Sequence, residues 1–512
     1  MKKNARILIL SATGLAVLGG VTAVLLLTAP AKETDVQAGT TEQEPTLAIE
    51  EAAKLTLCSR DETDTLSVEV KNDIGTFSIT PSGQTDDSGK PVWTIEPIAS
   101  APLNTSSLAS AVGNIVSLEA KEFAEEIADS SELAKYGLDV PRATVTAKFS
   151  DGTEFSVKIG IDVPTSSTAL YITADDRNVY TLNKSKVSDF LGNEFGFVEL
   201  QAMPDYDQSG EEVRKVTVER FDLEEPLVLE SITSESEDEI QVYSYRMVTP
   251  YSAYADLTDS PNFMYSIFGI TAASCEWVGL EEKDYEIAGL NEPLCVITTE
   301  TNLKTYTLTL GKAITETVTA DDGTETKKVS GFYGISSEVP DVLYRFDASS
   351  IAAMQVNPEQ LISKMFLMPY IYSLESVTYS DAEGRDITIG IETIKAQSEE
   401  EEDVHNFTLN GKPTAEQPVK DLYQYLISAS GEELYFDSDK GELLAEINYN
   451  YKDKKNGVGG KDTVRFYSSN TDRKVIIELN GENIFKTRRM YVTQLYSNMD
   501  SFMNGGEIVL TY

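Results

Sequence analysis

The chain has 512 residues, 41% of them hydrophobic, and its 84 acidic residues outnumber 42 Lys and Arg, giving a formal net charge of −42. This length exceeds what one core normally supports, so about two to four domains are expected. A surface this negative repels phosphate backbones and anionic lipid, which excludes nucleic acid as a partner and confines membrane contact to one segment. Three cysteines are too few for a disulfide scaffold.

The N-terminal segment is the candidate for that membrane contact. Ile7 to Leu27 form an uncharged run of 21 residues, which as a helix would be about 31 Å long and could cross the hydrocarbon of a bilayer. Because Lys2, Lys3 and Arg6 precede the run, the positive-inside rule predicts a cytoplasmic N-terminus and an exported body. The alternative is a cleaved signal peptide ending at Ala29-Pro30-Ala31, but the length of the run favours an uncleaved anchor.

A stalk is predicted after the anchor. Residues 29–54 are rich in Pro, Thr, Glu and Gln and lack apolar periodicity, which is typical of disordered segments. We therefore expect a transmembrane anchor over 1–28, a disordered stalk over 29–54, and a protein of the cell membrane whose bulk is extracytoplasmic.

An internal duplication is predicted from a repeated phrase. "YGLDVP" and "AGLNEP" place Gly137 and Gly289 at a spacing of 152 residues. When these glycines are aligned, four further landmarks recur in order: Trp93 with Tyr245, Ile159-Gly160 with Leu310-Gly311, Tyr171 with Tyr333, and Tyr180 with Tyr344. Five ordered landmarks indicate an internal repeat of long period, with an insertion around "TETVTADDGTETKKVSGF" in the second copy.

The elements around the landmarks also correspond. In the first copy Asn104 and Thr105 can cap a helix whose apolar stripe begins at Leu108, and in the second Ser260-Pro261 is expected to open a helix through Phe268. The repeated glycine is expected to end a helical or turn segment with positive φ, and its proline stops further helix. Alternating strands follow in both copies, "ATVTAKF" and "EFSVKIG" in the first, "CVITTET" and "TYTLTLG" in the second.

A third copy is visible by pattern alone. Pro418 opens a helical stripe, and "LLAEINYNY", "DTVRFYS" and "RKVIIELNG" alternate as strands do. Val377-Thr378, with a turn at Glu383-Gly384, matches Val216-Thr217 at the start of the second unit and Leu57 at the start of the first. The predicted fold class is α+β: three tandem β-rich units of about 150 residues, over 55–204, 205–360 and 361–512, each with antiparallel sheets and one or two helices.

These motifs resemble a known bacterial family. The order Trp93, helix, Tyr-Gly-Leu-x-x-Pro, a hairpin ending Ile-Gly, then "ALYITADDRNVYTLN" is similar to the domain of unknown function 4340. The likeness covers the first unit best, the second well, and the third only by pattern. It implies an N-terminal anchor and a gene neighbourhood of permeases and gliding-type auxiliary proteins of ABC transport, hence a transporter-associated extracytoplasmic role. The family has no established activity, so the resemblance implies no catalytic residues.

Catalytic motifs are weak or absent in the sequence. His405 is the single histidine and follows the acidic run 399–403, with no G-x-S-x-G to accompany it, so a solvated loop histidine is the simpler interpretation. Zinc motifs are excluded by residue counts. "NGVGGKD", ending at Asp462, is better interpreted as a hairpin loop than as a phosphate loop. Trp93, at a repeat landmark, is expected in the core.

Other polar features stay open at this level. Asp437 and Asp439 alternate before a glycine as in calcium loops, but the remaining ligands are missing. The runs Asp175-Asp176 and Asp321-Asp322-Gly323 are typical of turns. Cys275 and Cys295 could pair, although buried free thiols are the simpler expectation. We therefore predict no catalytic, cofactor-binding or metal-binding residue and no cofactor.

The function expected is a membrane-anchored, extracytoplasmic, non-catalytic accessory protein with a protein partner, an ABC-type transport complex. A cell-surface adhesive or structural module is the first alternative, and a carboxylate- or calcium-dependent hydrolase is the second. A catalytic site should place special residues in one unit only, whereas the visible departures between units are loop insertions, which favours binding.

Overall fold

The computed structural model describes residues 55–232, 243–320, 322–396, 403–470 and 473–512. The predicted anchor and stalk, residues 1–54, lie outside these ranges. Within them, no helix is long and apolar enough to cross a membrane.

The first sheet has eight strands, in the order β3-β2-β1-β5-β6-β7-β8-β4. The strands are β1 Thr65–Asn72, β2 Thr76–Thr85, β3 Pro91–Thr94, β4 Glu122–Glu126, β5 Ala143–Phe149, β6 Glu154–Asp162, β7 Ala169–Thr173 and β8 Asn178–Asn183. Helix α1, Thr105–Val116, connects β3 to β4, and the side chain of Asn104 caps it by accepting from the Ser107 amide. The predicted helix and both predicted strands of this unit are confirmed.

The second sheet has nine strands, in the order β12-β11-β10-β9-β14-β15-β16-β17-β13. The strands are β9 Val213–Arg220, β10 Leu227–Ser231, β11 Tyr245–Thr249, β12 Ala253–Tyr254, β13 Ser274–Val278, β14 Cys295–Thr301, β15 Thr305–Thr319, β16 Glu325–Ser336 and β17 Val339–Asp347. Helix α2, Glu282–Ala288, lies between β13 and β14.

The helix predicted from Ser260-Pro261 to Phe268 is wrong. The segment holds a 3-10 turn, Phe263–Tyr265, flanked by further i→i−3 bonds, Phe263 N to Ser260 O and Phe268 N to Tyr265 O. Met264 and Ile267 are nevertheless buried. Burial of the apolar side chains is thus achieved by successive tight turns, so the apolar spacing alone did not determine the helix type.

The third sheet also has nine strands, in the order β21-β20-β19-β18-β23-β24-β25-β26-β22. The strands are β18 Leu374–Asp381, β19 Asp386–Ile394, β20 Val404–Leu409, β21 Lys412–Thr414, β22 Glu433–Leu434, β23 Leu443–Tyr451, β24 Lys461–Ser468, β25 Lys474–Leu479 and β26 Glu482–Arg488. Helix α3, Glu416–Ile427, precedes β22, and helix α4, Arg489–Met503, follows β26.

The three sheets share one topology. When an additional edge strand in the second and third sheets (β12 and β21) is set aside, corresponding strands occur in the same order in all three. The β-rich α+β class is therefore confirmed, and the shared order is consistent with tandem units. One detail is wrong: Leu57 precedes β1, and the residue that matches Val216 and Val377 is Val68, the buried fourth residue of its strand.

The repeat landmarks occupy equivalent strands. Trp93 and Tyr245 lie on the third strand of their sheets, Tyr171 and Tyr333 on β7 and β16, and Tyr180 and Tyr344 on β8 and β17. Ile159 pairs with Ala143, and Leu310 pairs with Cys295, at the first residue of β5 and of β14 respectively. Trp93 is 1% exposed, which confirms its predicted place in the core.

The repeated Gly-Leu-x-x-Pro phrase ends a helical segment, and that helix end packs closely against a second glycine. Gly137 and Gly289 end a 3-10 helix and α2 in the left-handed conformation, with φ of 64° and 70°. A Cβ at Gly160 or Gly311 would lie 2.2 Å from the carbonyl oxygen of Tyr136 or Ala288. The helix end therefore rests on a glycine of the neighbouring strand, which explains why Gly-Leu-x-x-Pro and Ile-Gly or Leu-Gly recur together.

The units share a continuous core. Buried side chains of all three sheets belong to one hydrophobic cluster. Two isolated β-bridges join consecutive units, Gln201 with Thr271 and Ala255 with Ile362. Tyr251 stacks on Phe436 across the second junction, with ring centres 4.1 Å apart.

Candidate interaction surface on the second unit

The second unit carries a projecting hairpin, which we call the arm: residues 315–319 of β15 and 325–329 of β16. These two strands have 15 and 12 residues, whereas the corresponding β6 and β7 have 9 and 5 and β24 and β25 have 8 and 6. All ten arm residues are exposed. The insertion predicted from the sequence is thus an extension of a hairpin of the sheet.

The local sequence explains why the arm forms a hairpin. Thr and Val recur on both strands, and such β-branched residues suit a ladder. At the tip Gly323 has φ of 81°, and the Asp322 carboxylate accepts from the Thr324 amide at 2.9 Å. Hydrogen bonds from Thr324 hold the pKa of Asp322 below its usual value. Asp322 and Gly323 are therefore turn residues, as expected, while Asp321 lies outside the described residues.

A groove of about 750 Å³ lies at the base of the arm, and we call it the arm-base groove. Its apolar wall includes Phe221, Leu294, Val329, Phe332 and Met354. The Phe221 side chain is 70% exposed and that of Val329 is 38% exposed. An aromatic ring that exposed contributes little to the fold of its own chain, so it is available to a binding partner.

Two cations line this groove, Lys328 on the exposed arm and Arg345 on β17, and Arg345 is the half-buried one. Its Nε atom is buried and has no hydrogen-bond partner. Across the described part of the chain, no ion pair reaches its guanidinium. Its cross-strand neighbour on β13 is Ser274, whose hydroxyl donates to Glu276 instead.

The acids that line the groove differ in whether they are paired with a cation. Arg220 binds Asp222 through two hydrogen bonds, of 2.9 and 2.6 Å, and these hold the pKa of Asp222 below its usual value. Arg220 also donates to the carbonyls of Ala353 and Val356, which fixes the segment beside the groove. Glu316 and Asp347 lie at the exposed rim.

Other grooves lie between the second and third units. One of about 970 Å³ is lined by several acids, but Glu432 is paired with Arg488 and Glu433 with Lys474. Another of about 520 Å³ includes Asp437. Glu432 and Glu433 are thus neutralised by cations of the same unit.

The calcium candidates Asp437 and Asp439 are exposed residues of a loop. The backbone carbonyl of Asp437 accepts from Asn483, and that of Asp439 accepts from the Tyr435 hydroxyl, both at 2.6 Å. Among the residues with described positions, no group of three or more His, Cys, Asp or Glu is arranged to hold a metal ion. The structure therefore does not bring further ligands to these two aspartates.

The expectation for His405 is wrong, because the residue lies in strand β20. Its ring stacks on Tyr372 with centres 3.6 Å apart, and Nδ1 lies 3.1 Å from the Thr393 hydroxyl. Burial is the largest influence on its pKa and lowers it. The acidic run before it suggested a solvated loop, but the aromatic contact holds the histidine within the sheet.

The remaining singled-out residues have structural roles. "NGVGGKD" forms the loop of the β23–β24 hairpin, as predicted, and the buried Asp462 carboxylate accepts from Tyr451 and Asn480, both at 2.8 Å. Cys58, Cys275 and Cys295 are buried free thiols, and burial raises the pKa of Cys275 and Cys295 to about 12.

Comparison with known proteins identifies one family. Residues 93–260 match the family model described as domain of unknown function (DUF4340). This confirms the resemblance drawn from the sequence. The matched segment runs from β3 of the first sheet past β12 of the second and stops before the arm. No curated protein and no solved structure matches the chain.

Sequence reasoning identified the arm as an insertion but missed Arg345. The available signal was the repeat itself, because Arg345 directly follows the landmark Tyr344, while Thr181 follows Tyr180. A position that is polar and neutral in one copy and cationic in another marks a difference between units. What the sequence could not supply is that no described residue forms an ion pair with this guanidinium.

Proposed function

We propose that this protein is a membrane-anchored, extracytoplasmic, non-catalytic accessory protein that binds a protein partner, an ABC-type transport complex. The observation that carries the proposal is the departure of one unit from a shared framework. All three sheets have one strand order, and the second adds an exposed arm above a groove with an apolar wall. An exposed ribbon and an exposed aromatic ring suit recognition of another protein.

The membrane location rests on the uncharged run from Ile7 to Leu27 and on the cations that precede it. A body with a surplus of acids is repelled by anionic lipid. An anchor would therefore hold the body near the membrane, while the stalk would let the arm reach a neighbouring complex.

The identity of the partner rests on the family match over residues 93–260. The family resemblance implies genes placed beside ABC permeases and their auxiliary proteins. A transport complex is thus the partner that we propose for the arm of the second unit.

Cross-linking and co-purification from detergent-solubilised membranes test this function. We expect permease or ATPase subunits to co-purify with the full chain. They should be lost when residues 315–329 are replaced by a short turn of the length found between β24 and β25. Shortening the exposed turn between β2 and β3 is the matched control and should leave the complex intact. Recovery of cell-wall polymer in place of transport subunits would contradict the proposal and favour an adhesive role.

A further inference from the structure

The arm-base groove combines an apolar wall with an unpaired guanidinium. Arg345 has a buried Nε without a hydrogen-bond partner among the described residues, and Phe221, which lines the same groove, is 70% exposed. Arg345 as a whole is half-buried, but its buried Nε–H lacks an acceptor, which is costly. An exposed aromatic ring leaves apolar area in contact with water. A ligand that supplies an acceptor and an apolar group would relieve both costs.

The repeat provides an internal comparison for Arg345. Its register equivalents are Thr181, opposite Glu122 in the first sheet, and Lys486, opposite Glu433 in the third. The ammonium of Lys486 lies 3.7 Å from the centre of the Tyr435 ring. The third unit thus gives its cation a facing acid, whereas in the second unit the cross-strand neighbours of Arg345 are the neutral Ser274 on β13 and Tyr333 on β16.

The acids near the groove do not neutralise Arg345. Asp222 is bound by Arg220. Glu316 is the cross-strand neighbour of Lys328 on the arm, and Asp347 is exposed at the rim. No ion pair joins any of them to Arg345 in the part of the chain that the structure describes. Among the described residues, no carboxylate is therefore paired with this guanidinium, which leaves it available to a carboxylate of a partner.

We infer that the arm-base groove binds an extended segment of the partner protein in which a carboxylate side chain lies next to an apolar one. The carboxylate pairs with Arg345, since a guanidinium matches a carboxylate with two parallel hydrogen bonds. The apolar side chain packs against Phe221 and Phe332. This inference rests on the proposed function, because it assigns the chemistry by which the partner is recognised.

A random peptide library selected against the full-length protein in detergent tests the inference. We expect selected peptides to carry Asp or Glu beside an aliphatic or aromatic residue. In fluorescence anisotropy, a synthetic peptide of this kind should bind at least about tenfold more weakly after Arg345→Gln or after Glu→Gln in the peptide. Phe221→Ala, at an exposed position that the fold does not need, should weaken binding as well.

Two matched controls separate recognition from general damage. Lys486→Gln removes the equivalent cation of the third unit, and Ile287→Ala removes an apolar side chain that is also 70% exposed. Both should bind the peptide like the unaltered chain. The inference is overturned if selection yields no acidic–apolar peptide, or if Arg345→Gln leaves the affinity unchanged. If the peptide result is negative but transport subunits still co-purify, only this inference fails and the proposed function stands. If the peptide binds as expected but transport subunits do not co-purify, only the proposed transport partner is contradicted.

Discussion

Replacing Gly311 by alanine should destabilise the second unit more than a substitution of this size normally does. The added methyl would lie 2.2 Å from the carbonyl oxygen of Ala288, against 3.4 Å for ordinary contact, so β15 and the end of α2 must separate by about 1 Å. Overpacking typically costs about 1–3 kcal/mol. We expect a loss at the upper end of this range, about 3 kcal/mol, because the methyl would clash with a backbone atom that cannot easily move. That atom lies at the end of α2, where the Gly289 amide donates a hydrogen bond to the Glu286 carbonyl.

Gly323→Ala is the control for this substitution. Gly323 has φ of 81° and open space around its Cβ position, so only the left-handed strain of about 1 kcal/mol applies there. Urea midpoints measure the two losses, and hydrogen exchange of β14, β15 and α2 locates them. Gly160→Ala should behave like Gly311→Ala, because its methyl would lie 2.2 Å from the Tyr136 carbonyl oxygen. If Gly311→Ala costs no more than Gly323→Ala, the proposed steric role of the second glycine is wrong.

Four further predictions concern other parts of the chain. The protein should stay with membranes after carbonate extraction, and a mature N-terminus at Lys32 would contradict the anchor. Burial would raise the pKa of Asp381, but hydrogen bonds from Tyr379 and Arg385 outweigh it and the pKa is lowered. The ionised Asp381 therefore stabilises the fold above about pH 4, and this contribution is lost as the pH falls below that. Asp381→Asn should cost about 3 kcal/mol of unfolding free energy at neutral pH and should reduce the acid sensitivity of urea unfolding. Trp93→Ala should cost about 3–5 kcal/mol and Trp93→Phe clearly less, since the indole N–H has no partner to lose; equal losses in thermal unfolding would refute this. The three thiols should react with a thiol reagent only after unfolding, and recovery of a single reactive thiol from non-reduced protein would indicate a disulfide.

Much of the fold was predictable because helix-ending glycines and the alternation of apolar and polar residues in strands are local signals. The strands "CVITTET" and "LLAEINYNY" coincide with β14 and β23. The left-handed glycines were expected because few other residues adopt positive φ cheaply. The segment after Ser260 was mispredicted because its apolar spacing suits either an α-helix or a series of tight turns. Tertiary packing decides between them.

The candidate surface was less predictable, because it depends on relations between distant residues. The arm could be detected as an insertion, since it breaks the alignment of two copies. Arg345, by contrast, is distinguished by its cross-strand neighbour on β13. That neighbour, Ser274, lies 71 positions earlier in the chain. His405 shows the same limitation, because its contact with Tyr372 comes from a segment 33 residues away. Sequence neighbours gave the wrong environment in that case.

Comparison between the copies separates residues of the shared framework from residues that differ between the units. Gly160 and Gly311 recur with the same close approach to a helix end, so their role belongs to the framework. Thr181, Arg345 and Lys486 share one place in the ladder yet differ in charge and partner. Only differences of the second kind can give one unit a task that the others lack. Gly311 connects the framework to the arm, because it allows β15 to pack against α2 and the arm is the continuation of β15. The shared framework thus holds the base of the arm in place, and the unit-specific residues supply the chemistry exposed there.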